Sequence, residues 1–177
     1  LTIGSGHTVR GGGNLGSTSY GAINIVNQGT ILADAASGMS AYVDTINNAG
    51  GTLQVATGSR FALTGGALSG GSLQGVSGAR ISGGGVFSNF QLTGALSIGN
   101  SDLANIAGTI TNDGVLSVDS TSGVTRLYLA GDTTLNGTGQ TVLGDRAQNF
   151  IASSSGNRIL TIGSGHTVRG GGNLGST

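Results

Sequence analysis

The chain has 177 residues, of which 37 are Gly, and it lacks Pro, Cys and Trp. Seven Arg balance seven Asp, with no Lys and no Glu, so charged residues make up only 8%, against about a quarter in an ordinary globular domain. A helical bundle is excluded because Gly is poor in helix interiors and Lys and Glu are missing; collagen lacks its strict Gly period here; a mean hydropathy of +0.16 argues against disorder; and no basic patch marks a nucleic-acid surface.

Residues 1–18 read LTIGSGHTVRGGGNLGST, with Val9 as the central apolar position, and residues 160–177 repeat them letter for letter at an offset of 159. The simplest reading is a tandem array: residues 1–159 form one unit, and 160–177 open the next identical one. Further along, an N-x-G phrase precedes an apolar-polar-apolar triplet three times. Asn27-Gln28-Gly29 precedes Ile31-Leu32-Ala33, Asn48-Ala49-Gly50 precedes Leu53-Gln54-Val55, and Asn112-Asp113-Gly114 precedes Leu116-Ser117-Val118. Triplets at Leu73-Gln74-Gly75 and Leu96-Ser97-Ile98 fill the gap. Leu127-Tyr128-Leu129, Leu135 and a turn near Phe150-Ile151 follow, before Leu160-Thr161-Ile162 and Val168 begin again.

The leading apolar positions Val9, Ile31, Leu53, Leu73, Leu96, Leu116 and Leu135 therefore recur at about 20 residues, a solenoid spacing, and the step of 33 from Leu135 to Val168 leaves room for one further turn near Phe150-Ile151. Each triplet predicts a short strand with one buried face. Recurrence of a whole coil favours parallel stacking over a meander. The expectation is an all-β parallel β-helix of about eight rungs per 159-residue unit, with the eight apolar residues as its core column. Asn27, Gly29, Asn48, Gly50, Asn112 and Gly114 form its turn ladder, since Gly and Asn accept left-handed conformations. Absent Pro suits inner rungs, whose N–H groups are needed for the ladder. Open rungs at either end template further pairing, so the expected partner is the chain itself, end to end.

Little chemistry is on offer. His7 and His166 are the only histidines and have no acidic neighbour in sequence. Asp34, Asp44, Asp102, Asp113, Asp119, Asp132 and Asp145 sit mostly beside turn residues, without paired spacing. Gly11-Gly12-Gly13-Asn14-Leu15-Gly16 matches G-x-G-x-x-G, yet no helical pattern follows, so a dinucleotide site is not expected. Thr109-Ile110-Thr111 is the best match to an ice-binding array, and a single pair makes no ladder. No catalytic residue, metal or cofactor is expected, and no apolar run is long enough for a membrane helix.

INIVNQGTILAD (23–34), TINNAGGTLQV (45–55) and TITNDGVLSV (109–118) resemble the degenerate repeats of filamentous-haemagglutinin-like adhesins and autotransporter passengers. LYLAGDTTLNGTGQTVLGD (127–145) and NRILTIGSGHTVRGGGNLG (157–175) resemble modules of giant repetitive Gram-negative surface proteins. The resemblance implies a right-handed β-helix, an extracellular or bacterial cell-surface location, and a role as stalk, adhesin or fibre. It carries no catalytic residues across. A glycan- or host-protein-binding module is the alternative, and a carbohydrate-active enzyme on the same fold ranks third.

Overall fold

A computed structural model describes residues 1–17 and 19–175. No helix occurs among them, and every strand pairing is parallel. The chain winds into about eight stacked turns of roughly 22 residues each, a β-solenoid. The first turn holds β1 (Thr2–Ile3), β2 (Thr8–Gly11) and β3 (Gly13–Gly16), and the second β4 (Ile23–Asn27), β5 (Thr30–Ala33) and the start of β6 (Met39–Asn47). The third runs from the end of β6 through β7 (Thr52–Val55) and β8 (Arg60–Leu63); the fourth holds β9 (Ala67–Ser69), β10 (Ser72–Gly75) and the start of β11 (Arg80–Ser88). The fifth turn adds β12 (Gln91–Ile98) and enters β13 (Leu103–Asn112), and the sixth adds β14 (Val115–Val118) and enters β15 (Thr125–Asn136). β16 (Gln140–Leu143) and β17 (Asn149–Ser153) complete the seventh. The eighth, β18 (Leu160–Ile162), β19 (Thr167–Gly170) and β20 (Asn173–Leu174), is built by the repeated segment, which leaves seven turns for the 159-residue period.

Alternation along each strand sends one side chain in three-faced succession to the axis. Ile31, Leu53, Leu73 and Leu135 are fully buried, and Leu96 and Leu116 are 2% exposed. Phe61 and Phe87 meet edge to face at 6.4 Å in the middle of the core. Leucine and isoleucine stacked this way remove contiguous apolar surface from water at about 25 cal/mol per Å², which is what offsets the entropy lost in ordering so many glycines.

The eight leading apolar residues do not form a single column. Val9, Ile31, Leu53 and Leu73 stack in register, but Leu73 pairs with Leu92 and not with Leu96. Leu96 starts another column, Leu96–Leu116–Thr141–Val168, while Leu135 lies on a different face between Ile110 and Ile162. The physical cause is a corner that migrates within β12. Residues 91–94 of that strand pair down onto β10, and residues 95–98 pair up with β14. Gly94 turns there at φ 72°, and a Cβ at that position would strike the Gly75 carbonyl oxygen. Successive steps of about 20 residues conceal the shift, because the coil length stays nearly constant while its corners rotate.

Candidate functional site: the seam between repeats

Corner chemistry sets the geometry of every turn. Asn27, Asn48 and Asn112 have zero exposure. Asn27 Nδ2 donates to Asn48 Oδ1 at 2.7 Å and to the Thr52 carbonyl at 3.2 Å, while its Oδ1 accepts the Gly29 amide at 3.1 Å. Asn48 Nδ2 continues upward to the Gly70 carbonyl at 3.1 Å. Asn112 repeats the motif, accepting from Gly114 N at 2.9 Å and donating to the Gln140 carbonyl at 3.0 Å. A buried carboxamide is tolerable because its hydrogen-bonding groups find partners within a turn or one rung away.

Glycines fill the same corners for lack of room. A Cβ on Gly29 would run into the His7 and Gly4 carbonyl oxygens, and one on Gly114 into Gly94. In the second N-x-G phrase the close-packed glycine is Gly51, against Asn27, whereas Gly50 stands clear of neighbours at φ 83°. That turn carries one residue more than its counterparts. Two corner devices carry no N-x-G phrase. Asn100 Oδ1 accepts the amides of Thr121, Ser122 and Gly123 at 3.0, 2.8 and 2.7 Å. Asn149 bridges the Ser120 amide and the Gly144 carbonyl. Their mark in the sequence is position alone, an Asn near the end of the corner that follows an inward-facing strand.

The repeated segment occupies the first and the eighth turn; β2 and β19 fall on the same residues of the phrase, while β18 starts one residue earlier than β1 and β20 keeps only the middle two residues of β3. Gly11 and Gly170 share φ 125°. The two copies differ in what covers them. The first has a coil above it and none below: Ile3 pairs with Asn27, Val9 with Ile31, Leu15 with Ala41. The second has a coil below and none above: Ile162 pairs with Leu135, Val168 with Thr141, Leu174 with Ile151. Under its roof Ile3 is 3% and Leu15 9% exposed; without one, the equivalent Ile162 and Leu174 are 43% and 60% exposed. They line an open recess of about 460 Å³ with Leu129, Ile151 and Leu160. The floor matters to other residues. Leu1, with none, is 63% exposed, whereas Leu160 packs against the core. His7 lies exposed, whereas His166 is 7% exposed with Nε2 3.0 Å from Thr141 Oγ1 and an unpartnered Nδ1. Burial holds the His166 pKa below its ordinary value near 6.5, partly opposed by the Asn112 backbone carbonyl.

Charge follows the same division. Arg10 reaches up to Asp34 through Nε at 2.9 Å and through Nη2, whereas Arg169 reaches down to Gln140 Oε1 at 2.7 Å. Other carboxylates serve turns and neighbouring rungs: Asp113 accepts from Thr138 N and Gln91 Nε2, which lowers its pKa, and Asp132 accepts from Ile159 N. Asp102 stands 3.8 Å from Arg60. Among the described residues no three His, Cys, Asp or Glu side chains converge as a metal ligand set, and no helix is long and apolar enough to cross a membrane. No protein-family model, curated protein or solved structure matches the chain.

Proposed function

We propose that the chain is a structural segment of a long extracellular β-solenoid fibre or adhesin stalk, in which successive repeats stack end to end on one axis. The observation that carries this reading is the complementary burial of the two identical copies. Each copy lacks what the other has, and a tandem chain supplies both to every seam coil. The open sheet edges at either end then become interior rungs, as solenoid stability requires. The mechanism is geometric: each 159-residue unit adds seven turns, or about 34 Å of length at about 4.8 Å per rung. The adhesin-like phrases in 23–34, 45–55 and 109–118 support the extracellular setting.

The test is a chain with two full units followed by the 18-residue copy. Its particles, imaged by electron microscopy, are expected to be single straight rods longer than the one-unit chain by about 34 Å. Two separate beads joined by a flexible connection would overturn the reading. A binding face is a second reading with one observation behind it. Leu103, Arg126 and Phe150 stack in register, half-buried on the outer side of one sheet, with Arg126 5.9 Å from the Tyr128 ring centroid. Binding of acidic oligosaccharides that is abolished by Tyr128→Ala, with the rod intact, would favour it.

A further inference from the structure

The two copies of the seam coil are interchangeable, and this has a consequence for separate chains. The lower side of the second turn accepts residues 1–16, and the upper side of the seventh accepts residues 160–174, which are the same phrase. We infer that the partner for these surfaces is a second copy of the chain, joined by coil exchange. The eighth turn of one molecule takes the place of the first turn in the next, whose own first copy is released. The inference rests on the stacking of repeats proposed above, and concerns the free 177-residue chain.

Two geometric facts favour exchange over simple stacking of an eighth turn against a first turn. Thr30 lies above Thr8, so Gly29 lies above His7, where a Cβ would collide with the His7 and Gly4 carbonyl oxygens. Simple stacking would set His7, with its side chain, above His166. It would also place Arg10 directly over Arg169, and like charges facing one another across a parallel ladder repel. Exchange instead puts Gly29 over His166 and brings Asp34 within reach of Arg169, as it is for Arg10 in the first copy. It also buries Ile162 and Leu174 as Ile3 and Leu15 are buried. The pairings lost by the released copy equal those gained by the inserted one. One coil fewer is held ordered, and its conformational entropy is recovered.

The experiment is to concentrate the 177-residue chain, measure the axial repeat of any filaments by cryo-electron microscopy, and digest them with trypsin. Exchange predicts a repeat of about 34 Å per chain, seven turns at about 4.8 Å, with cleavage at Arg10 and protection at Arg169. A repeat of about 38 Å, eight turns, with both sites protected, overturns exchange in favour of simple stacking. A monomer at every concentration by light scattering also overturns it. That result beside a two-unit chain that still lengthens by about 34 Å would leave the tandem reading standing. A charge pair provides a check that does not depend on imaging. Arg169→Asp is expected to raise the critical concentration about two- to fivefold, as the loss of an exposed ion pair allows, because it sets a like charge against Asp34 in the exchanged seam and leaves the Arg10–Asp34 pair of the free molecule intact. Asp34→Arg in the same chain is expected to restore assembly. Strengthening by Arg169→Asp alone, with Asp34 intact, would count against exchange.

Discussion

Ile3 and Ile162 are the same residue of the same phrase, yet one is 3% and the other 43% exposed. The histidines reverse the order: His7 is exposed and His166 is 7% exposed. A coil of this solenoid is therefore not a self-sufficient unit. Its apolar residues at Ile3 and Leu15 are completed from above, and its histidine corner from below. Identical sequence gives three strands at corresponding places in both copies, while their extent and packing depend on the neighbour. This is the nearest-neighbour behaviour expected of a stacked array, where most of the stability lies in the interfaces between turns.

The largest way to break the comparison is to remove the roof from one copy only. Gly29→Val has nowhere to place its side chain against His7 and Gly4. The first turn should detach, with hydrogen-exchange protection at Thr8–Gly11 falling on the order of a hundredfold or more, since local opening then costs little. Thr167–Gly170, seven turns away, should keep its protection. Loss in both copies together would mean that the solenoid unfolds as one unit and that the roof is not local. Next in size is Asn27→Ala. It strands the Gly29 amide and Asn48 Oδ1 inside a corner with no exposure. A loss of about 2–3 kcal/mol is expected in denaturant melts, and a change below about 0.5 kcal/mol would show that the carboxamide ladder is decorative.

How much of this was legible beforehand follows from where the signals sit. The solenoid could be read from the exact 18-residue repeat and from triplets whose apolar ends recur at each rung. Asn27, Asn48 and Asn112 stood out because an Asn turn leaves a local mark, N-x-G. The corner migration at β12 left none. Leu92 and Leu96 are both inward-facing leucines four residues apart in one strand, and only the pairing partner above and below decides which continues the column. The complementary exposure of the two copies was equally hidden, since it belongs to neighbours and not to the phrase. Gly75 and Gly94, adjacent across the shift, looked like any others in a chain with 37 glycines.

The histidines give a smaller, pH-dependent contrast. His166 is a base whose pKa is lowered on folding, chiefly by burial. The unfolded chain then binds the proton more readily than the folded one. The stability of the eighth turn should be intact above about 6.5, the unfolded value, and decline as the pH falls through it, levelling off below the folded value. Melting followed between pH 8 and pH 5 should show this slope, and His166→Gln should flatten it. His7→Gln, at the exposed copy with no floor, is the control. An equal effect from both substitutions would show that the burial of His166 is not what couples the seam to pH.

The smallest expected effect separates charge from packing at the seam. Arg10 pairs upward with Asp34, with side-chain exposures of 68% and 18%. Arg10→Ala should cost the first turn only about 0.5 kcal/mol, because an exposed ion pair gains little over its two hydrated partners and is screened by salt. Arg169→Ala removes a hydrogen bond from the guanidinium to the uncharged Gln140 side chain, and its effect should depend far less on salt than that of an ion pair. Measured side by side in low and high salt, the first substitution should lose its effect and the second keep it. In a tandem chain the same arginine would hold both contacts available to it, Gln140 below and the carboxylate above. In the single unit both contacts are made through Nε, and that one N–H serves a single acceptor at a time. The salt dependence of the seam should therefore be weaker in the two-unit chain than at Arg10 in the single unit. If it were equal, the carboxylate would have taken the arginine outright, and the bond to Gln140 would be a feature of the uncovered end alone.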